Sequence, residues 1–372
     1  MPMSPTAAAR SDTGAHPVDL ALPDRLAEAL TAFLTERRAA AAAIDPAFGA
    51  AADELCAFVL NGGKRIRPTV AWWGWRGAGG DPDGPEVPAV LRAIGALELI
   101  QACALVHDDL MDASATRRGR PTVHVEFARR HAAAAWRGRP ARFGAAAAIL
   151  LGDLALVWAD DMLRGARLPA DAAARAVTPW EAMRTEVLGG QYLDVFVQST
   201  GDTSTRAALQ VDRYKTAAYT VERPLHLGTL LADPLDGQRL LPGLSCFGVP
   251  LGDAFQMRDD VIGAFGDTSV TGKPVGDDLR EGKPTSLLAR AVALAEPAEL
   301  DVLARVGSPH LGDDEVAEIQ QVIVDTGALD ELEARITTLA GEAISALERM
   351  AIDPAAREEL RALAAFVVAR VD

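Results

Sequence analysis

The sequence predicts an all-α protein, and three observations support this fold class. Alanine, leucine, arginine and glutamate, which favour helices, are abundant, whereas alternating β-branched and aromatic residues are scarce. Apolar residues recur at spacings of three and four in several long stretches. Because 49 % of the 372 residues are hydrophobic, the chain can bury a substantial core in one large domain or two.

The N-terminal residues lack these helical patterns. The stretch MPMSPTAAARSDTGAHP has no apolar segment of useful length, so we expect residues 1–22 to form a disordered tail. A helical pattern begins near Pro23, which suits the first turn of a helix, and continues to about Ile44. A second helix is expected from Asp53 to Leu60.

A basic loop follows this second helix. It opens with Asn61-Gly62-Gly63, where glycines allow unusual backbone conformations, and continues with Lys64, Arg65 and Arg67. Backbone amides near the start of the next helix, together with two or three cations, would form an anion-binding site. A solvated basic turn is the alternative interpretation.

The stretch from Glu98 to Asp112, ELIQACALVHDDLMD, predicts a buried helix that ends in carboxylates. Asp108 and Asp112 lie one turn apart on one face, with Asp109 about 100° round the axis. Negative charge is unfavourable in the last turn of a helix, so these acids need a counter-charge. Oxygen ligands at this spacing suit Mg²⁺, although a solvated acidic face is the simpler alternative.

Basic residues flank these acids and recur in a few loops. Arg117, Arg118 and Arg120 follow the aspartates closely, which suggests a bound metal–phosphate group. Only four of the 37 basic residues are lysines, and each lies beside glycine, threonine or proline rather than on a plain amphipathic helix. A compact ammonium is a common phosphate ligand. The four are Lys64, Lys215, Lys273 and Lys283.

The charge and the cysteines limit the class of protein. A net charge of −15 argues against nucleic-acid binding, because a polyanion would be repelled. Cys56, Cys103 and Cys246 lie in apolar or small-residue surroundings without CxxC spacing, so we expect reduced core residues in a cytoplasmic protein.

The most apolar segment, from Phe143 to Leu163, is interrupted by three aspartates at positions 153, 160 and 161. We therefore expect a buried helix there and no membrane span. The pair Asp160-Asp161 lacks a third acid one turn later, so surface charge is the preferred interpretation.

A second acidic helix is predicted around GDAFQMRDDVIGAFGD, which carries Asp259 and Asp260. If this helix and the first acidic helix face one cavity, their carboxylates could share metal ions. The loop that follows contains Lys273 and Lys283, which could close over that cavity.

Between the two acidic helices, three polar residues are interpreted more simply. Gln191 and Asp194 can share one helix face, and a satisfied core hydrogen bond is the more common role of such a pair. His226, among leucines, is predicted to be structural.

The motifs together resemble the trans-isoprenyl diphosphate synthases, the polyprenyl synthetase family, from about residue 26 to the C-terminus. GGKRIRP, DDLMD followed by RRG, Lys215-Thr216, FQMRDD and the two loop lysines occur in the order typical of the family. The resemblance implies a single synthase domain over residues 23–372. Its fold would be a large all-α bundle around a deep central cavity, usually in a homodimer.

The resemblance also implies the site residues. Mg²⁺, with three ions expected when substrate is bound, would be held by Asp108, Asp109, Asp112, Asp259 and Asp260. The allylic diphosphate would be bound by Arg117, Lys215, Thr216, Gln256, Lys273 and Lys283. Isopentenyl diphosphate would be bound by Gly63, Lys64, Arg67, Gln101 and Arg118. The implied reaction is Mg²⁺-assisted ionisation of the allylic diphosphate and condensation with isopentenyl diphosphate.

Two positions depart from the pattern of the family. Gly263 stands where many members have the third aspartate of the second motif, and Gln101 stands where many bacterial members have histidine. Product length is expected to depend on residues below the first aspartate, which here are Cys103, Ala104, Ile100 and Leu97. Because the first two are small, we predict a C20 product, geranylgeranyl diphosphate, ahead of C15, with longer chains as an alternative.

Two other functions compete with this interpretation. A class I terpene cyclase shares the fold and the first motif, but its second metal motif needs a Ser or Thr where Gly263 stands, although Asp267 occupies the last motif position. A non-catalytic partner subunit would be expected to lack an aspartate pair or a phosphate-binding lysine, and this chain keeps them.

Overall fold

The computed structural model describes residues 16–61, 63–232, 234–266, 275–308 and 311–369. The all-α prediction is confirmed, because nearly all described elements are helices. In the first half these are α1 Pro17–Leu20, α2 Leu22–Ile44, α3 Pro46–Leu60, α4 Ile66–Gly77, α5 Val87–Met111, α6 Val123–Ala133, α7 Pro140–Arg164 and α8 Ala170–Thr200.

The second half continues the bundle. It comprises α9 Thr205–Val211, a π-helix Asp212–Glu222, α10 Arg223–Leu231, α11 Pro234–Phe265, α12 Asp277–Glu281, α13 Ser286–Leu294, α14 Pro297–Leu303, α15 Asp313–Asp325, α16 Ala328–Glu348 and α17 Pro354–Ala369. Helix α11 continues through two internal prolines.

The helical chain begins earlier than the sequence indicated. Helix α1 starts at Pro17, before the expected boundary at Pro23, because Asp19 is buried and accepts hydrogen bonds from Trp72 Nε1 (2.8 Å) and Arg76 Nε (3.3 Å). The tail predicted for residues 1–22 is therefore too long, and its first 15 residues lie outside the described chain.

Helix α3 also begins before its predicted start at Asp53. It starts at Pro46, since the side chain of Asp45 accepts a hydrogen bond from the backbone of Ala47 (2.7 Å) and caps the first turn.

Helix α5 runs through the centre of the molecule. It packs against α2, α3, α4, α7 and α8, and its residues are buried on all sides, including Ile94, Leu97 and Leu99, each 0 % exposed. A helix that is apolar all round belongs in the interior of a protein. The acidic end of α5 is thus fixed by the core of the whole bundle.

Helices α4 and α10 pack with their backbones almost touching. A Cβ on Gly228 would lie 1.7 Å from the carbonyl oxygen of Ala71, so only glycine fits there. This close contact brings the start of α4 beside the π-helix, where Arg67 Nη2 donates to Thr220 Oγ1 (2.8 Å).

A two-residue β-hairpin follows the first aspartate motif. Strand β1, Thr116–Arg117, pairs antiparallel with β2, Arg120–Pro121. The two turn residues, Arg118 and Gly119, have φ of 53° and 71°. Positive φ at both central positions defines the type I′ turn that suits the twist of a hairpin.

By length and composition, α5 and α7 could each cross a membrane. For α5 the burial in the core explains its apolar character, and the same test is passed by core helices of globular proteins. Less than half of the apolar window of α7 is buried, and Leu150 (66 %) and Val157 (57 %) are exposed on it. Of the pair predicted to be surface charge, Asp161 is exposed, whereas Asp160 is half-buried and accepts hydrogen bonds from Trp180 and Arg184.

The three cysteines are free, but only two follow the prediction. Cys56 and Cys103 are buried, whereas Cys246 is exposed. Cys246 lies next to the fully buried Phe247 on α11, so its side chain takes the outer face of that helix. The expectation of a core position for Cys246 was wrong.

Candidate active site

A cavity of about 660 Å³ opens among α4, α5, α8, the π-helix, α11 and α12. This volume is typical of a site for a small organic substrate. Charged residues from all six of these elements line one part of it, and apolar residues of α5, α7 and α8 line another. The cavity thus combines an ionic region with an apolar wall.

The first motif lies in the last turn of α5, as predicted. Asp108 lines the cavity, and its Oδ1 accepts hydrogen bonds from Lys215 Nζ (2.9 Å) and Gln191 Nε2 (3.1 Å). Burial favours protonation of this carboxyl, but the charges of Lys215, Lys283 and Arg117 outweigh it and lower the pKa of Asp108 to about 2. These cations offset the unfavourable end of the helix dipole.

Asp109 and Asp112 have different surroundings. Asp109 is 1 % exposed and accepts a hydrogen bond from Arg117 Nε (2.7 Å), so it orients that arginine from behind the cavity wall. Asp112 forms the C-cap of α5 and pairs with Lys283 Nζ (3.2 Å). Burial, and then the charge of Asp108, raise the pKa of Asp112.

The π-helix and α8 together supply the next part of the wall. Lys215 is half-buried and forms ion pairs with Asp194 and Asp108, and these two carboxylates raise the pKa of Lys215 against the effect of burial. Thr216 and Tyr219 line the cavity from the same π-helix. A π-helix is rare and often marks a functional site.

Gln191 and Asp194 were assigned only a core hydrogen bond from the sequence. They are hydrogen-bonded, but they also line the cavity and contact Asp108 and Lys215. With Arg184, Val187 and Leu188 they form a regular spacing of three and four along α8, which is the pattern that could have identified this face.

The second motif lies on α11. Asp259 lines the cavity, and Asp260, which is 2 % exposed, accepts hydrogen bonds from Gln256 Nε2 (2.7 Å) and the backbone of Ser286 (2.9 Å). Burial, and then the charge of Asp212, raise the pKa of Asp260 well above its usual range. Asp212, which begins the π-helix, also lines the cavity and was not identified from the sequence.

Helix α12 and the residues after it cover the acidic end. Lys283 reaches Asp112, and it also pairs with Glu281 (2.9 Å) and Asp278 (3.7 Å). Glu281 in turn accepts a hydrogen bond from Ser114 Oγ (2.9 Å). Lys283 thus lies at the cavity, as its predicted role in closing the cavity requires. Lys273 lies outside the described residues.

The predicted isopentenyl diphosphate ligands line the cavity together: Gly63, Lys64, Arg67, Gln101 and Arg118. The guanidinium of Arg67 stacks 4.0 Å above the ring of Tyr219. Arg65 does not line the cavity; it forms an ion pair with the buried Glu98 and donates to Val59 O (2.8 Å). Arg65 thereby fixes the basic loop against α3 and α5.

The apolar wall differs from the prediction at one position. Ile100, Cys103 and Ala104 line the cavity, whereas Leu97 is fully buried in the core and does not. The deep wall is completed by residues that the sequence did not indicate, namely Leu156, Arg184, Val187 and Leu188. No α5 residue before Ile100 lines the cavity, so the floor of the cavity is formed by other helices and could not be predicted from the periodicity of α5.

The donor set fits Mg²⁺ chemically. Asp108 and Asp259 offer carboxylate oxygens to the cavity, and the carboxylate oxygens of Asp277, Asp278 and Glu281 lie within 4.8 Å of one another beside it. Mg²⁺ prefers such hard oxygen ligands and is commonly shared between carboxylates and phosphates.

Comparison with known proteins assigns the family. A model of the polyprenyl synthetase family matches residues 50–324. The chain belongs to this family. It is therefore a prenyl-transferring enzyme, and the resemblance inferred from its motifs is confirmed.

Two curated members of the polyprenyl synthetase family align with most of the chain. Geranylfarnesyl diphosphate synthase of Aeropyrum pernix is 33 % identical over 84 % of this chain and 92 % of its own length. A (2E,6E)-farnesyl diphosphate synthase of Mycobacterium tuberculosis is also 33 % identical, over 83 % of this chain and 80 % of its own.

A solved structure of the family confirms the isoprenoid synthase fold. Geranylgeranyl pyrophosphate synthase of Corynebacterium glutamicum, complexed with isoprenyl diphosphate and magnesium, is similar with a TM-score of 0.89 and 44 % identity. The similarity covers 94 % of this chain and 98 % of that one.

Proposed function

We propose that this prenyltransferase makes geranylgeranyl diphosphate (C20) from isopentenyl diphosphate and allylic diphosphates. The proposal rests on a single cavity. Its charged region contains residues of both aspartate motifs and two groups of cations, and its wall below Asp108 carries the small side chains of Cys103 and Ala104. The solved relative named for this product supports the same choice.

In this proposal the charged region has two parts. The carboxylates that would hold three Mg²⁺ ions are Asp108, Asp112 and Asp259, with Asp109 and Asp260 orienting their neighbours. The allylic diphosphate is bound by Arg117, Lys215, Thr216, Gln256, Lys273 and Lys283. Isopentenyl diphosphate is bound by Gly63, Lys64, Arg67, Gln101 and Arg118.

This arrangement supports ionisation of the allylic C–O bond. Magnesium, when bound, would neutralise charge on the leaving diphosphate. Lys215 and Arg117, already fixed by Asp108, Asp109 and Asp194, are aimed at the same region and need little rearrangement. The apolar wall excludes water from the allylic cation until the double bond of isopentenyl diphosphate attacks it. The departing diphosphate can accept the proton that is then lost.

Product length depends on where the growing chain meets a bulky residue. One helical turn rises about 5.4 Å, roughly one isoprene unit. With small residues at Cys103 and Ala104, the tail would pass that level and reach Ile100, Leu156 and Arg184. A farnesyl product or a longer polyprenyl product remains the alternative, and curated relatives with farnesyl and geranylfarnesyl names support keeping both.

We also propose a homodimer formed through α7 and α8. These helices expose large apolar side chains, among them Leu150 (66 %), Val157 (57 %), Tyr192 (69 %) and Phe196 (51 %). Exposed apolar surface of this extent is typical of protein–protein contacts. A second copy of the chain would cover it and would explain why the apolar α7 is poorly buried in one copy.

The test is a Mg²⁺-dependent incubation with isopentenyl diphosphate and C5, C10 or C15 allylic diphosphates, with product length measured by mass spectrometry. A dominant C20 product that a chelator abolishes is the expected result. Cyclised hydrocarbon would favour the cyclase, and activity only with a second protein would favour the partner subunit. The predicted cytoplasmic location would be checked by cell fractionation.

A further inference from the structure

One stretch of this acidic protein is strongly basic. Residues 127–152 contain five arginines and no aspartate or glutamate, although the whole chain has a net charge of −15. Arg130 forms ion pairs with Glu54 and Glu126. The other four arginines are exposed, and none of them forms an ion pair within the described residues: Arg129, Arg137, Arg139 and Arg142. Their charge is therefore available to a partner.

Two exposed aromatic rings lie among these arginines. Trp136 is 52 % exposed and Phe143 is 37 % exposed, and their rings meet edge to face with centroids 5.2 Å apart. The other five of the six tryptophans are buried, each at most 6 % exposed. Exposure of a tryptophan is thus specific to this place. We call the four exposed arginines together with Trp136 and Phe143 the basic aromatic patch.

The backbone holds the patch in a fixed shape. The loop between α6 and α7 turns through Ala135 (φ 49°) and Gly138 (φ 98°) and folds back on α6. There His131 Nε2 lies 3.1 Å from the carbonyl oxygen of Arg137. The ring of the buried His131 also packs against Trp136, with centroids 5.9 Å apart. The folded loop therefore presents the aromatic rings to solvent.

The patch lies at the end of the molecule that carries the first aspartate motif. His107, one residue before the motif, has its Nε2 3.2 Å from Ile149 O on α7. Farther along α7, Met162 lies beside Gly95, so α7 runs antiparallel to α5. From Ile149 back to Pro140, α7 extends about 13 Å, whereas α5 continues only about 6 Å past His107. The start of α7 therefore projects beyond the acidic end of α5.

We propose that the basic aromatic patch docks this protein on the surface of an anionic membrane. Clusters of basic residues are attracted to anionic headgroups, and tryptophan prefers the boundary between headgroups and acyl chains. Because the Debye length is about 8 Å at physiological ionic strength, the membrane senses the patch and not the acidic charge on distant surfaces. A second copy of the chain is a poorer partner, since a two-fold contact here would bring like charges together.

The fold itself does not account for these charges. Arg139 is the N-cap of α7 and Arg142 lies in its first turn, where the helix dipole disfavours cations. Anionic headgroups would offset this unfavourable position.

Docking at this end suits the chemistry of the proposed product. A diphosphate with a long apolar tail is an amphiphile, and its tail favours the bilayer over water. The docked protein would hold the charged end of its cavity near the headgroups, which gives such a product a short route to the bilayer. This consequence rests on the proposed function, whereas the docking does not.

The experiment measures binding of the full chain to vesicles by flotation, at physiological and at high salt. Vesicles of phosphatidylcholine alone are compared with vesicles of equal parts phosphatidylcholine and phosphatidylglycerol. The patch variant is Arg137→Gln/Arg139→Gln/Arg142→Gln. The matched control is Arg167→Gln/Arg206→Gln/Arg349→Gln, which removes the same charge from exposed arginines elsewhere that form no ion pair within the described residues. Thermal melting confirms that each variant folds.

We expect binding to the anionic vesicles only, with release at high salt. Each arginine near an anionic surface contributes about fivefold to affinity, so the patch variant should bind about 100-fold more weakly and the control within about 3-fold of the original protein. Lipids brominated on their acyl chains should quench the fluorescence of Trp136 in the original protein. The variant Trp136→Phe should lose this quenching.

Several results would overturn the docking: no binding of the original protein to anionic vesicles, undiminished binding by the patch variant, or an equal loss in the control. A lower mass of the patch variant in light scattering would instead assign the patch to contact between copies. Tighter binding to RNA than to vesicles would assign it to nucleic acid. Prenyl transfer is assayed separately without vesicles, where the patch variant should keep full activity. Absence of transfer by the original protein would overturn the proposed function and leave the docking result standing.

Discussion

Lys215, on the π-helix, joins acids from two other elements of the charged region. It pairs with Asp108 from the first motif and with Asp194 from α8; both carboxylates are buried, and the lysine is half-buried. Buried carboxylates are stable as charged groups only when paired, so this lysine serves the fold as well as the proposed substrate.

Replacing Lys215 with glutamine should lower kcat/KM for the allylic diphosphate about 100-fold, because one fixed cation is lost from the leaving group. Steady-state kinetics at saturating isopentenyl diphosphate would measure this effect. It should also destabilise the fold by about 3 kcal/mol, since two buried carboxylates lose their partner. Lys215→Arg, which keeps the charge, is the control. If kcat/KM of the Lys215→Gln variant equalled that of the original enzyme, the assignment of Lys215 would be contradicted.

Cys103 offers a test of the apolar wall at the scale of one residue. The change Cys103→Phe should shorten the main product from C20 to C15, because the ring would fill the space below Asp108 that the small side chain leaves. Mass spectrometry of the products from a C5 primer would measure it. Cys103→Ser, which stays small, should leave product length unchanged. A C20 product from Cys103→Phe would mean that another wall limits the chain.

At the scale of elements, α10 and the π-helix enclose a buried polar cluster behind the cavity. His226 contacts Ser245 Oγ (3.1 Å) and Arg223 Nη1 (3.3 Å), and Glu222, Glu186 and Arg213 lie near it. Burial lowers the pKa of His226 to about 4, despite the opposing charge of Glu222. The structural role predicted for this histidine agrees with these contacts.

This cluster predicts a pH dependence of stability. Because the folded-state pKa of His226 is below its unfolded value of about 6.5, the unfolded chain takes up a proton first as pH falls. The free energy of unfolding should therefore decrease between pH 6.5 and 4, with up to about 3 kcal/mol from this residue. Denaturant unfolding at several pH values would measure it. His226→Gln should show a smaller decrease over that range, and an identical pH profile would refute the assignment.

The elements also show what could be predicted from the sequence. The acidic ends of α5 and α11 and the basic loop before α4 were predictable, because each depends on residues close together in the chain. Asp278 and Arg184 were not, since their positions depend on which helices pack together. Leu97 was placed in the cavity wrongly because α5 is buried on all sides, and helical periodicity cannot distinguish core from cavity wall.

At the scale of the whole molecule, α7 and α8 carry the proposed dimer interface. Leu150→Glu should convert the dimer to a monomer, because a charge would be buried without a partner when two copies associate. Light scattering coupled to size-exclusion chromatography would measure the mass. Ile44→Glu, at an apolar residue that is 75 % exposed on α2, is the matched control and should leave the mass unchanged. If the Leu150→Glu variant still had the mass of a dimer, the interface would lie elsewhere on the molecule.

The whole molecule also balances an acidic surface against a concentrated group of cations. The net charge is −15, yet three of the four lysines lie at the cavity. Diphosphate substrates are polyanions, so cations concentrated at the cavity of an otherwise acidic protein favour binding there and discourage it elsewhere.

The small hairpin after the first motif has a consequence for sequence changes in this region. Arg117 points to Asp109, whereas Arg118, in the turn, lies beside Gly63, where a Cβ would be 3.2 Å from Arg118 Nη2. In the proposed assignment, these adjacent arginines serve two different substrates from one hairpin. An insertion or deletion of a single residue there would displace at least one of these guanidinium groups from its position. The length of the turn therefore fixes the positions of both arginines, and a chimera or redesigned enzyme should keep that length.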